Sequence, residues 1–149
     1  MASHSKVITA LATAAASTVL AVSASPASAA SAYWANGINY SDYVNERWAR
    51  SETNGAVVGG EIHWNRTGTS VGINATVYDT QADGYGAIAN VGYYADGDRN
   101  RWTVEEIGHA SGGDGSRATI QKHSIRKVTY IKIQACKVKG STKICGPFQ

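Results

Sequence analysis

The chain has 149 residues, a formal charge of +3, two Cys, two Pro, sixteen Gly, four Trp, eight Tyr and one Phe. That length provides for one domain, and two Cys exclude a dense disulfide scaffold and a Cys-rich zinc cluster. Abundant Trp and Tyr with so little Pro exclude a disordered chain, and the small charge excludes nucleic acid as the default partner.

Residues 1–29 read as a secretory signal. Lys6, with His4 and the amino terminus, supplies the positive start, and residues 7–22 are Ala-rich, apolar and uncharged. Ser25-Pro26 breaks a helix, and Ala27-Ser28-Ala29 offers the small-x-small pattern that a signal peptidase needs. Ala30-Ser31-Ala32 is a second cleavage site. A membrane anchor needs about 20 well-packed apolar residues. This stretch is interrupted by Thr and Ser, with Ile8, Leu11 and Leu20 as its large aliphatics. The expectation is a secreted, extracellular monomer with no membrane span once the signal is removed.

Residues 30–54 form an N-terminal extension, irregular apart from room for one short helix. Tyr40, Tyr43, Val44 and Trp48 lie at i, i+3, i+4 and i+8, and Ser41 or Asp42 could cap it. The main domain spans residues 55–149. Ala56, Val58, Gly60, Ile62 and Trp64 alternate with Val57, Gly59, Glu61 and His63 at period two, the mark of a half-buried strand. Val71 to Tyr78 repeats the pattern, and strands are expected over 85–93, 101–107, 117–125 and 128–138, with a short closing strand at Ile144. Turn residues fall between them at 65–68, 82–84, 96–98 and 111–115. Such spacing predicts an all-β fold, an antiparallel β-sandwich or small barrel of about six to eight short strands.

Tyr78-Asp79 followed by Ala82-Asp83-Gly84-Tyr85-Gly86 resembles the central motif of small secreted actinobacterial all-β proteins. The likeness covers residues 70–149, including the strand ending in Cys136 and the second Cys at 145. It implies secretion and an all-β fold, and no activity. Some relatives carry a further Cys in the strand before Asp79, which this chain lacks. From the residues themselves, Cys136 and Cys145 allow one intramolecular bridge, across a turn containing Gly140-Ser141-Thr142. Redox motifs place their Cys closer together, so this spacing points to structure.

Several residues carry chemistry in principle. Asp96, Asp98 and Asn100 imitate the start of a calcium loop, but Arg101 and Ile107 stand where Gly and a bidentate Glu are needed, so a hairpin turn is expected. Asp79 is expected to bond turn N–H groups. Glu61 and His63 lie two apart on a strand and so share one face. A carboxylate beside an imidazole is a catalytic or metal element, and it makes a small extracellular hydrolase the alternative function. A zinc site wants a third ligand, and only His109 and His123 remain in this part to offer an imidazole, so no metal or cofactor is expected. Glu105 and Glu106 are adjacent and point to opposite faces of a strand. Residues 111–115 have the composition of a serine-protease loop in the wrong order and read as a Gly-rich loop. Asn39, Asn65 and Asn74 open glycosylation triplets that a bacterial host leaves unmodified.

Charge is unevenly spread. Residues 115–149 contain eight basic and no acidic residues, whereas residues 30–114 contain five basic and eleven acidic. Lys along strand edges guards against aggregation, and basic strands can pair with acidic ones. The competing reading is an anion-facing surface. Among the aromatics, Tyr85, Tyr93, Tyr94 and Trp102 could line a sheet face and stack on a ligand, and Trp48, Trp64 and Trp102 could equally fill a core almost devoid of Phe. Tyr85 and Tyr94, with Lys132 and Lys137, are the candidate binding residues, because Tyr offers rigid area with a polar handle. The leading function is therefore a non-catalytic binding module for a cell-wall polymer, a carbohydrate or an extracellular protein.

Overall fold

The computed structural model describes residues 33–149, so the signal and cleavage sites expected at 1–32 lie outside the described residues. Two antiparallel sheets make a sandwich. Strands β1 (Trp34–Asn36), β2 (Asn45–Thr53), β3 (Ala56–Trp64), β4 (Val71–Asp79) and β7 (Arg117–Ser124) build the first, in the order β1-β7-β4-β3-β2. Strands β5 (Gly86–Ala95), β6 (Trp102–Ala110), β8 (Val128–Lys139) and β9 (Thr142–Cys145) build the second, in the order β6-β5-β8-β9. The all-β expectation holds, with more strands than expected.

Period-two burial decides which side chains enter. In β3, Ala56, Val58 and Ile62 are buried while Val57, Gly59 and Glu61 face outward. Val71, Ile73 and Val77 of β4 do the same for the first sheet. The second sheet meets them with smaller groups, Ala87, Ala89, Val91, Ala135 and Ile133, around the one large ring of Tyr93. Burying each such Val or Ile contributes roughly 1.5–3 kcal/mol, so this interface holds the sheets together.

Of the extension expected at 30–54, the described residues 33–54 contribute β1 and β2 to the sandwich. Among them one 3-10 turn, Tyr40–Asp42, is the only helical element, and Trp48 lies in β2. Ala49 and Ser51 of β2 point inward while Trp48, Arg50 and Glu52 point out, so period two wins over the helical spacing of the aromatics. Pairing with β3 along the whole strand, from Asn45↔Trp64 to Thr53↔Ala56, supplies the hydrogen bonds a helix would have made internally. The boundary expected between residues 54 and 55 falls inside the β2–β3 turn, where Gly55 takes a φ of +101°.

The aromatics split the two expectations. Of the three tryptophans suited to the core only Trp64 packs against it, Trp48 being 67% exposed; Trp102, 39% exposed, stays outside, while Tyr93, expected on a sheet face, is buried. The aromatic core is instead Tyr33, Trp34 and Tyr93.

One lateral edge of the sandwich is closed by the C-terminal residues. Cys136 and Cys145 face each other across β8 and β9 and form the expected disulfide. Beyond it, Ile133 and Gln149 exchange backbone hydrogen bonds of 3.0 and 3.0 Å. Ser51 of β2 joins the sheets: its hydroxyl donates to the Pro147 carbonyl at 2.7 Å and accepts the Ala135 N–H at 3.0 Å. Arg47 donates to the Ile131 carbonyl at 2.8 Å.

Candidate functional sites on the two outer faces

The outer face of the second sheet carries an aromatic ledge. Its origin is a bulge in β8. Gly92 pairs with Lys132 and Tyr94 with Thr129, so Tyr130 and Ile131 oppose the single residue Tyr93. The extra residue sends Thr129 and Tyr130 outward in succession before Ile131 returns to the core. Tyr130 adopts a φ of +50°, a left-handed conformation that costs a side-chain-bearing residue roughly 1–2 kcal/mol. The result is a ring 59% exposed and stacked on Tyr94, with centroids 5.4 Å apart and planes 23° apart. Trp102 from β6 stands edge-on to Tyr94 at 5.3 Å and to Phe148 at 5.6 Å. Gly92 lies beneath Trp102 and Phe148, and the absence of a side chain there lets both rings lie down on the sheet.

Tyr94, Arg99, Thr129 and Tyr130 line an open pocket of about 480 Å³ at one end of this ledge. Lys132 Nζ lies 5.8 Å from the Tyr130 ring centre. Two of the four expected binding residues, Tyr94 and Lys132, thus sit together. Tyr85 and Lys137 do not join them. They lie near the other end of β5 and β8, where Gly86 pairs with Val138, about 26 Å along the strand from Tyr94. There Lys137 bonds Asp83 at 3.3 Å and packs on Tyr85 at 4.8 Å, with Lys139 at 5.4 Å. The Asp83 carboxyl is held below its ordinary value, first by the Tyr85 backbone N–H and also by Lys137. Lys137 is thus engaged within the chain.

The second candidate lies on the outer face of the first sheet, at the Glu61–His63 pair. Register places Glu46 of β2 opposite His63. Glu46 Oε2 is 3.5 Å from His63 Nδ1, and Glu61 Oε2 is 3.4 Å from His63 Nε2. An outward-facing side chain would normally be wet, yet His63 is 4% exposed. The cause is the neighbouring position. Gly72 pairs with His63, and a Cβ there would meet Ile38 at 2.4 Å and Tyr43 at 3.0 Å. The β1–β2 connection settles into that gap, and the rings of Tyr40 and Tyr43 close on the imidazole at 5.3 and 6.0 Å. Burial pushes the Tyr43 hydroxyl above its ordinary value. An open pocket of about 330 Å³ remains, lined by Tyr40, Tyr43, Val44, Asn45, Glu46 and His63. No Ser, Thr or Cys lines it, so a serine-type acyl transfer has no nucleophile there.

The other expected positions lie apart from His63. His123 follows Gly72 in the same cross-strand row, but its Nδ1 bonds the Gly37 carbonyl at 2.8 Å, with the β1–β2 connection between it and His63. His109 sits on the second sheet, 3.7 Å from Glu106. Glu105 bonds the buried Tyr93 hydroxyl, so Glu105 and Glu106 do face opposite ways. The calcium-like loop is a hairpin turn. Asp98 Oδ1 accepts from the Asn100 N–H at 2.9 Å, and Asp96 bonds Tyr33, Arg101 and Arg126 at 2.7, 3.1 and 3.1 Å. Asp79 accepts the Gln81 N–H at 3.2 Å, the turn bond expected of it. Residues 111–116 carry the chain from β6 back to β7.

Sequence reasoning missed Glu46, Tyr40 and Tyr43 as partners of His63, because a helix was expected there. It also missed Tyr130 and Phe148, whose placement follows from a bulge and a tail that leave no mark in the residue pattern. The chain matches no protein family, no curated protein and no solved structure.

Proposed function

We propose that this chain is a secreted, non-catalytic binding module that holds a carbohydrate polymer of the cell envelope on the outer face of its second sheet. The ledge of Tyr94, Trp102 and Tyr130 supports this reading. Sugar rings present apolar C–H faces that stack on flat aromatic rings, while their hydroxyls need polar groups alongside. Tyr130 is the observation that carries the reading. A bulky residue in the left-handed region is a cost to folding, and such costs concentrate where a side chain must be aimed. Here the strain does not deepen the core; it lifts a ring out of it. Arg99 and Lys132 at the margin suit acidic or hydroxyl-rich substituents.

The test is co-sedimentation of the protein with insoluble polysaccharides and isolated cell wall, at low and high salt. Stacking survives salt, because screening acts on exposed charges and not on apolar contact. Binding is expected to persist in high salt and to fall at least tenfold in Tyr130→Ala and in Trp102→Ala. Binding abolished by salt would transfer the role to the basic residues, and no binding in either condition would remove the reading.

A further inference from the structure

The arrangement around His63 is unexplained by a carbohydrate ledge on the opposite sheet. Two carboxylates flank one buried imidazole, and one ligand atom from each of Glu46, Glu61 and His63 lies within 4.8 Å of the others. Among the described residues this is the only such group of three. Two carboxylates so close repel unless a positive charge lies between them. That charge is either a proton on His63 or a cation.

Geometry separates the two. An imidazolium would aim its N–H groups at the carboxylates. His63 Nε2 is buried and makes no hydrogen bond, although Glu61 Oε2 is 3.4 Å away. A buried ring nitrogen without a partner is costly. Ligands of one metal ion behave differently: their lone pairs converge on a shared point beside the line joining them. With metal–ligand bonds of about 2.0–2.1 Å, tetrahedral ligands stand roughly 3.3–3.4 Å apart. The His63–Glu61 separation has that value. Glu46 Oε2 stands 3.5 Å from the other ring nitrogen, Nδ1, and must swing to close the third side, which its 68% exposed side chain on the edge strand allows.

We propose that Glu46, Glu61 and His63 bind a divalent transition cation of the zinc type, with His63 Nε2 as the nitrogen ligand. One imidazole with two carboxylates matches zinc-like ions, whereas calcium demands six to eight oxygens that this pocket does not hold. The tyrosine rings of Tyr40 and Tyr43 clamp the imidazole plane and so fix the direction of its lone pair. Three protein ligands leave a coordination position open, and a pocket that also includes Tyr40, Tyr43 and Asn45 adjoins Glu46 and His63. The site is separate from the aromatic ledge, so either can fail without the other.

The experiment is calorimetric titration of the secreted protein with zinc chloride, together with NMR of the histidine ring protons. One zinc ion per chain is expected, with the His63 resonances shifting first. Glu61→Gln and Glu46→Gln keep side-chain volume at exposed positions and preserve the fold, which thermal melting verifies. Each removes a direct ligand and is expected to weaken zinc by at least the roughly tenfold that loss of an outer-shell partner costs. His109→Ala removes the separate His109–Glu106 pair and is expected to change nothing. The proposal is overturned if the parent protein takes up no zinc, if both glutamine variants bind it unchanged, if His109→Ala abolishes the binding, or if calcium binds more tightly than zinc.

Discussion

Gly92→Ala tests how the ledge is held. A Cβ at this position would lie 2.3 Å from Trp102 Cζ2, 2.8 Å from Phe148 Cε1 and 3.0 Å from Trp102 Cη2. Carbon atoms in contact prefer about 3.5–4.0 Å, so Trp102 must move by about 1.2–1.7 Å and Phe148 by about 0.7–1.2 Å. Gly92 lies within β5, paired on both sides, and cannot yield instead. Trp102 is partly exposed and has room to swing away, at the cost of its edge contacts with Tyr94 and Phe148. Overpacking of this kind costs about 1–3 kcal/mol. For a domain of this size that lowers Tm by about 4–12 °C. Thermal unfolding and near-UV circular dichroism read the two effects, with Trp102→Phe in both backgrounds to isolate the Trp102 signal. Carbohydrate binding is expected to fall with the dichroism. Gly60→Ala is the contrasting control: its Cβ would meet Ala75 Cα and the Asn74 carbonyl, each at 2.3 Å, so it destabilises without touching the ledge. An unchanged Tm and an unchanged near-UV spectrum in Gly92→Ala would refute the placement of Trp102 over this glycine.

Tyr130→Gly relieves the left-handed backbone while removing the stacked ring, so stability is expected to stay within about 1 kcal/mol of the parent in denaturant unfolding. Binding should still be lost, which separates the ring's role in recognition from any role in folding. Asp96 is held below its ordinary value of 3.8, first by the Tyr33 hydroxyl and also by Arg126 and Arg101. A depressed carboxyl contributes stability above its unfolded value, and that contribution disappears as pH falls through the folded value. Asp96→Asn should therefore melt below the parent at neutral pH, with the gap closing below pH 3.8 in a calorimetric series. Replacing Cys136 and Cys145 together by Ser opens a loop with a sequence separation of 9 and should cost about 2–3 kcal/mol in chemical denaturation.

Much of the sandwich was legible because its strands are half-buried. Ala56 to Ile62 and Val71 to Val77 alternate so regularly that strand and buried face follow from the residues. The region before residue 55 was misread for a definite reason. Tyr40, Tyr43, Val44 and Trp48 fit a helical face, but Trp48 never enters the core. The decisive signal was Asn54-Gly55, a two-residue turn of the kind that joins antiparallel strands, preceded by the alternation of Trp48, Arg50 and Glu52 with Ala49 and Ser51. Reading it would have placed Glu46 opposite His63 and completed that site from sequence. Tyr130 had no comparable signal. Nothing in Thr129-Tyr130-Ile131 announces an extra residue in the ladder, because the bulge is set by how β5 and β8 meet and not by local propensity.

The uneven charge along the chain also changes meaning once folded. The basic residues after 115 divide between β7 in the first sheet, the β7–β8 turn with Arg126 and Lys127, and β8 and β9 in the second sheet, so they form no single face. Many meet partners from the acidic part. Arg126 reaches Asp96, Lys137 reaches Asp83, and Lys122 and Lys143 donate to Asn36 and Asn90 at 2.6 and 3.2 Å. The topology explains the pairing: β8 lies beside β5, and the turns flanking β5 hold Asp83 and Asp96. A block of like charge in sequence thus becomes a set of cross-connections between the two halves of the chain. Lys132 and Arg99 stand near the aromatic ring of Tyr130, beside an open pocket. On the proposed reading, charge would therefore act at the margin of the ledge and the flat rings would carry the contact.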